Sequence, residues 1–242
     1  MTIAIYGKFS AFSVIFVLLC GISFAVCPEG MVSYWTFDND TVSGSTVQDV
    51  YGGNDGSIND SVLSEGKVSD GFRFNGIGSF VDMGDASELK FGQSSFTVSG
   101  WFRFESYSHN VYIINNYNPY LDGGKYYLIN LVDNELRFNI DDDNSPISPI
   151  TLSSNELETQ RWYHFVAIRN YATSVQLYVD GNLVAEDTAY SGGSDITSSI
   201  NLLVGDRIDE ERSFDGVIDE IAIFNRALNA TEVAQLYNQS SQ

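Results

Sequence analysis

The sequence predicts an all-β protein: an antiparallel two-sheet sandwich closed by a short C-terminal helix. Three observations carry this reading. Short apolar or alternating runs recur between clusters of Gly, Ser, Asn and Asp along residues 31–224, the spacing of an antiparallel sandwich. Asp180-Gly181 stands between two such runs and is a two-residue hairpin turn, its glycine free to take a positive φ. Residues 217–224 are apolar at nearly every position except Asp219 and Glu220. That run reads as a strand buried on both faces, too short and too β-branched for a core helix. After Asn225 the period becomes helical. Asn229 with Glu232 makes a capping-box pattern, and Leu228, Val233, Leu236 and Tyr237 recur on one face.

With 242 residues, a single domain is expected, since sandwiches often reach this size as one unit. The composition is 43% hydrophobic and 14% aromatic, ample for a core. Against 12 Lys and Arg stand 32 Asp and Glu, a formal net charge of −20. That charge repels nucleic acid and anionic lipid and removes both from the expected partners. It suits Ca²⁺ and neutral sugars, and equally well a surface that is acidic only for solubility.

Residues 1–25 read as a signal peptide and residues 26–242 as the domain. Lys8 supplies the positive charge, residues 9–22 the apolar core, and Ser23-Phe24-Ala25 the small residues before a cleavage after Ala25. Residues 9–26 are also just long enough for an uncleaved anchor, the one expected route to a membrane. After cleavage Cys27 would be the only thiol, so a disulfide within the chain is excluded. Cys27 is then idle, an intermolecular link or a lipid site. The expected location is secreted or at the cell surface.

In chain order, residues 31–38 alternate as a half-buried strand. Residues 44–59 are rich in Gly, Ser, Asn and Asp, and Gly52-Gly53-Asn54-Asp55-Gly56 can only be turns. Residues 68–84 read as a hairpin broken at Gly76-Ile77-Gly78, and residues 96–104 as a strand. Residues 105–125 form a long polar stretch with Tyr107, Tyr112, Tyr117 and Tyr120. A hairpin follows over residues 126–132 and 135–140, turning at Asp133-Asn134. Residues 141–149 are a loop and 151–159 an edge or connector. Strands are expected at 161–169, 175–180, 182–187 and 201–206, with a charged loop at 209–211.

Several stretches resemble the LamG-like jelly-roll domains of the concanavalin A-like lectin/glucanase superfamily. They are WTFD at 35–38, GGNDG at 52–56, FTVSGW at 96–101, WYHFVA at 162–167, LYVDGNLV at 177–184, and the closing DGVIDEIAIFNRALNATEV. The resemblance covers residues 31–238. It implies a jelly roll, and it implies that a bound Ca²⁺ can tie an N-terminal acid to an aspartate of the final strand. Tyr51 departs from the family's pattern, which has Ser in that loop.

Four kinds of chemistry deserve weighing. Ca²⁺ takes six to eight oxygens from carboxylates and carbonyls. Asp38 and Asp219 take the family's role in the resemblance, with Asp49 and Asn54 more loosely. Otherwise Asp219 caps amides of the 52–56 turn without a metal. Catalysis on this fold needs acids alternating along one strand so that two carboxyls face the sugar bond. No three acids stand at i, i+2, i+4, so no catalytic residue is expected and a glycoside hydrolase or lyase is the weakest reading. His164 reads as a satisfied core or half-buried histidine, and Trp35, Trp101 and Trp162 as strand residues rather than ligand platforms. Tyr107, Tyr112, Tyr117 and Tyr120 could present flat faces to sugar, or could simply pack the 105–125 loop. Asn39, Asn59, Asn229 and Asn238 begin glycosylation sequons. The expected function is therefore a non-catalytic module binding a glycan or a cell-surface protein. The alternative is a structural or assembly protein of the cell surface.

Overall fold

The computed structural model describes residues 28–106, 109–118, 124–142, 150–190 and 195–239. The expected signal segment, Cys27, Tyr107 and Tyr120 lie outside these residues. Seventeen strands and one α-helix are described. The first seven strands are β1 (Met31–Trp35), β2 (Val42–Ser43), β3 (Thr46–Val47), β4 (Gly56–Asn59), β5 (Val62–Glu65), β6 (Asp70–Asn75) and β7 (Phe80–Asp82). Next come β8 (Phe96–Phe104), β9 (Val111–Asn115), β10 (Tyr126–Val132), β11 (Glu135–Asp141) and β12 (Ile150–Glu156). The chain ends with β13 (Tyr163–Asn170), β14 (Ser174–Val179), β15 (Asn182–Asp187), β16 (Leu203–Val204), β17 (Asp215–Phe224) and α1 (Ala230–Gln239).

The strands form two antiparallel sheets. The first runs β15-β14-β13-β8-β17-β6-β5, with β1 also paired to β17, and the second runs β12-β11-β10-β9-β16-β7-β4-β3-β2. Between them lies one apolar core, with Trp35, Phe72, Phe102, Phe138, Phe165 and Phe214 fully buried. Both hairpin turns fall where expected. Asp133 and Asn134, and Asp180 and Gly181, all take positive φ, the backbone that joins twisted strands in two residues.

Four expectations are corrected. Residues 68–84 are not a hairpin: β6 lies in the first sheet and β7 in the second. Gly76 and Gly78, both at positive φ, turn the chain across the core instead of back along the same sheet. The 44–59 stretch holds β3 and β4 besides its turns, and Gly56 opens β4. The 105–125 stretch contains β9, a central strand of the second sheet, whose five residues are all buried. Its flanking Asn, Ser and Tyr residues hide that strand in a composition average. The 201–206 strand shortens to Leu203–Val204.

β17 carries a bulge that its uniform apolarity conceals. The pairing with β8 slips between Asp219 and Ala222, and Glu220 has φ 56°. Ile218 and Ile221, three residues apart, both reach the inter-sheet core. Strict alternation would put one of them outside, so an extra residue is needed between them. Gly100 lies opposite the bulge. A Cβ there would sit 2.4 Å from Ile221 Cδ1 and 3.1 Å from the Phe165 ring. Gly100→Ala is therefore expected to cost about 1–3 kcal/mol by overpacking, read as a lower urea midpoint at unchanged slope.

Helix α1 seals the outer face of the first sheet. Val233, Leu236 and Leu228 pack on Val166, Tyr178 and Phe224. Its start is held reciprocally: Asn229 Oδ1 accepts from the Thr231 and Glu232 amides, and Glu232 Oε2 accepts from the Asn229 amide. Arg226 forks onto the same Glu232. Asn229→Ala is expected to lower stability by about 1 kcal/mol, measured by thermal melting.

Candidate functional site

The first region centres on Asp219. It faces Trp101 across the β17–β8 pair, and Trp101 faces His164 across β8–β13. These three side chains form a row on the outer face of the first sheet. The Tyr237 ring stacks on Trp101 from α1, and Lys67 Nζ lies 4.7 Å over the Trp101 ring. Asp219 is fully buried. Its Oδ2 accepts from the Lys67 and Val68 amides at 2.8 and 3.0 Å, while Oδ1 has no partner. Gly66 permits this approach, because a Cβ there would lie 2.2 Å from the Asp70 carbonyl and 2.7 Å from Asp219 Oδ2. Burial, then the Glu220 charge, push the Asp219 carboxyl up to about 8, against the pull of the two amides; Asp38 pushes the same way. Burial pushes His164 down to about 3, and its Nδ1 also lacks a partner. His164 is thus a buried neutral histidine, though not the fully satisfied one expected.

The structure brings Asp38 and Asp219 together, since β1 and β17 are neighbours and the Asp38 charge acts on Asp219. Asp38 Oδ1 accepts from the Asp70 amide. Asp49 and Asn54 are committed elsewhere. Asp49 Oδ1 accepts from the amides of Tyr34, Tyr51 and Gly52, and Oδ2 from that of Asn54. The Asn54 side chain donates to Ser33 Oγ, and its carbonyl accepts from Trp35 Nε1. The amides that Asp219 caps therefore belong to residues 67–68 rather than to the 52–56 turn, which Asp49 holds. Among the described residues, no three His, Cys, Asp or Glu side chains gather where they could hold a metal ion. Asp219 Oδ1 is the orphaned oxygen of this set, with the Asp38 charge acting on it, whereas Asp49 and Asn54 are taken up by the hydrogen bonds above.

The second region is the outer face of the second sheet, where sequence reasoning found only tyrosines. Tyr112, Tyr126 and Leu128 form a small apolar cluster with Tyr117 packed against it. The Arg207 guanidinium lies 5.7 Å from the Tyr112 ring and 5.9 Å from that of Tyr117. Asp209 pins it through two contacts of 2.6 and 2.5 Å. Tyr112 is only 4% exposed, so it is a floor residue rather than a presented ring. Beside this cluster runs an amide ladder across the strands. Asn130 donates to Asn110 Oδ1 at 2.8 Å, Asn139 to Asn130 Oδ1 at 2.9 Å, and Thr151 to Asn139 Oδ1 at 2.7 Å. Next to it, Arg137 pairs with Glu135 at 3.1 Å, while its buried Nε has no partner. A signal for the ladder was present: Asn130 is the one amide in the apolar run YYLINLV, an anomaly of the same kind as Asp219.

The sequon asparagines are scattered. Asn39, Asn229 and Asn238 are exposed, while Asn59 is partly buried. Asn59 already donates to the Gly78 carbonyl. Of the tryptophans, Trp35 is core and Trp101 lies under Tyr237; Trp162 precedes β13, with Arg103 over its ring.

Two antiparallel sheets packed around one core, with a helix on one outer face, make a jelly-roll sandwich. The chain belongs to the concanavalin A-like lectin/glucanase superfamily, whose model matches residues 75–234. Solved structures share the fold. The binding domain of Paraclostridial Mosquitocidal Protein 1 superposes with a TM-score of 0.70 at 18% identity, over 86% of this chain and 52% of that one. Domain 4 of an extracellular arabinanase from Geobacillus stearothermophilus, in complex with arabinotriose, gives 0.64 at 19% identity, over 86% and 98%. Trypanosoma rangeli sialidase gives 0.66 at 17% identity, over 88% of this chain and 33% of that one. The chain thus spans about half of the toxin structure and a third of the sialidase. None of the curated proteins compared matches the sequence.

Proposed function

We propose that this chain is a sugar-recognition module acting outside the cell, without catalytic chemistry of its own. The observation that carries the reading is the amide ladder beside the tyrosine cluster on the outer face of the second sheet. A sugar ring has apolar faces and a rim of hydroxyls that both donate and accept. Aromatic and aliphatic side chains match the first, and amides match the second, since each amide offers both donor and acceptor. Family membership and the arabinotriose complex of the arabinanase domain support the same direction. The expected result is saturable binding of the full chain to an immobilised oligosaccharide, weakened by Asn139→Ala. Release of reducing sugar from the bound glycan, abolished by a single acidic substitution, would replace this reading with an enzymatic one.

A calcium ion belongs to the proposal as a tie, held by Asp38 and Asp219. When bound it would neutralise a buried carboxylate and join the first strand to the last. It is assigned no part in the sugar site.

A further inference from the structure

We propose that two adjoining turns at one end of the sandwich form a docking surface for a second protein, one that offers an apolar pocket rimmed by Lys or Arg. The surface is separate from the sugar site above and does not depend on it. Its anchors are Ile77 and Ile208. Ile77, at 83%, is the most exposed large apolar side chain among the described residues, and Ile208 is 48% exposed. Both stand where a turn calls for small or polar residues: Ile77 between Gly76 and Gly78, and Ile208 in the run RIDEE. A single exposed apolar residue is ordinary. These two are not single, because their turns touch. Glu210 Oε2 lies 3.1 Å from where a Gly78 Cβ would stand, and Ser213 Oγ accepts from the Gly78 amide at 2.8 Å.

The first ground is that both turns are braced. They are crossovers between the sheets, one from β6 to β7 and one from β16 to β17. The Gly76 amide donates to the Phe214 carbonyl, the Asn75 amide to Ser79 Oγ, and the Ile77 amide to Asn75 Oδ1. The Gly78 carbonyl accepts from the Asn59 side chain. In the longer turn the fully buried Asp206 accepts from the Arg207 and Arg212 amides and from Ser213 Oγ. These bonds fix the backbone while leaving the two isoleucines in water. A partner that covers them therefore meets little of the loop-ordering cost that docking usually carries, and it gains the burial of two aliphatic side chains.

The second ground is charge, and it selects the occupant. Exposed acids flank the tips: Glu210 and Glu211 beside Ile208, and Asp60 beside the Asn59 that holds Gly78. The neighbouring cations are engaged elsewhere. Arg207 is buried and held by Asp209, Arg73 is held by Asp215, and the Arg212 charge acts on Tyr112 over the second sheet. A second copy of a chain of net charge −20 is repelled from such a surface, as is anionic lipid. A zwitterionic bilayer would have to take Glu210 and Glu211 out of water along with the isoleucines. A protein pocket with a cationic rim takes the isoleucines into its floor and meets the acids at its edge, where opposite charge speeds association and fixes orientation.

The test is an NMR titration of the full chain with a synthetic stand-in for that pocket: an apolar calixarene cup rimmed with ammonium groups, beside the same cup rimmed with sulfonates. Expected are saturable binding of the ammonium cup, amide shifts confined to residues 76–78 and 208–211, weakening as salt is raised, and no binding of the sulfonate cup. Ile77→Ser and Ile208→Ser, at exposed positions that leave the core untouched, should each weaken binding about tenfold. Glu210→Gln together with Glu211→Gln should remove the salt dependence. Binding of the ammonium cup that is spread over acids elsewhere and indifferent to both serine variants would overturn the site. Equal binding of the two cups would overturn the cationic rim. Self-association in sedimentation, or adsorption to phosphatidylcholine vesicles, lost in Ile77→Ser, would give the tips to a second copy or to lipid and overturn the protein partner. No shift at either turn with either cup would overturn the surface itself.

Discussion

In EDTA, raising the pH from 6.5 to 8 is expected to destabilise the protein by about 2 kcal/mol through Asp219 alone. The physical cause is a carboxyl whose proton is held more tightly in the folded chain than in the unfolded one, up to about 8 against 3.8. Between those values the folded state binds the extra proton, so stability falls as pH rises, at up to about 1.4 kcal/mol per unit. His164 works in the opposite sense. Its folded value of about 3 lies below the ordinary 6.5. The unfolded chain binds the extra proton between them, and stability rises with pH over that window. From about pH 4 to 6.5 the two contributions oppose each other; above 6.5 only Asp219 acts. Asp219→Asn should abolish the fall between pH 6.5 and 8, with the difference between the two proteins isolating this one group.

The same measurement decides the calcium tie. A divalent ion at Asp219 Oδ1 and Asp38 would stabilise the ionised carboxylate. Added Ca²⁺ should then flatten the fall, and EDTA should restore it. A ligand at a hundredfold excess over its Kd stabilises the folded state by about 2.7 kcal/mol. In a domain of this size that is roughly 5–10 °C. Identical melting curves at pH 8 with Ca²⁺ and with EDTA would remove the ion and leave Asp219 as the acceptor of the Lys67 and Val68 amides. A flat profile in EDTA for the unaltered protein would show that Asp219 is not the buried acid described.

Asp49→Ala is expected to be the most damaging single polar substitution, with a loss of about 3–5 kcal/mol. Four backbone amides converge on this carboxylate: those of Tyr34, Tyr51, Gly52 and Asn54. Each would be left without its partner, at about 1–3 kcal/mol for every one that water cannot reach. The damage would spread to the first strand, because Asn54 also holds Ser33 and Trp35. Asp49→Asn, which keeps one acceptor oxygen, should cost less. Urea unfolding followed by tryptophan fluorescence reads the effect, and EDTA should leave it unchanged. A loss under about 1 kcal/mol would mean that the loop holds itself without Asp49.

The architecture was legible because it rests on local signals. Asp180-Gly181 and Asp133-Asn134 turn the chain by their own backbone preferences, and Asn229 with Glu232 starts the helix through neighbours three residues apart. Alternation in strands such as β1 needs only a period of two. The WTFD and DGVIDEI stretches carried the resemblance to the superfamily. The anomaly at Asp219 was also visible, since one acid in an apolar strand must be held by something.

Only the tertiary structure could say by what. The Lys67 and Val68 amides lie about 150 residues away in sequence, and nothing local distinguishes an aspartate that caps such amides from one that binds metal. The same limit reassigned Asp49 and Asn54. The bulge at Glu220 depends on which isoleucines meet the opposite sheet. The separation of β6 from β7 depends on which strand each finds as neighbour. The amide ladder joins Asn110, Asn130, Asn139 and Thr151, residues that no period or motif links, because a sheet brings them into line perpendicular to the chain. Sequence by itself determined the periods, turns, caps and residue types. The partners across strands, and therefore the faces on which binding chemistry can assemble, came from long-range pairing that only the closed sandwich specifies.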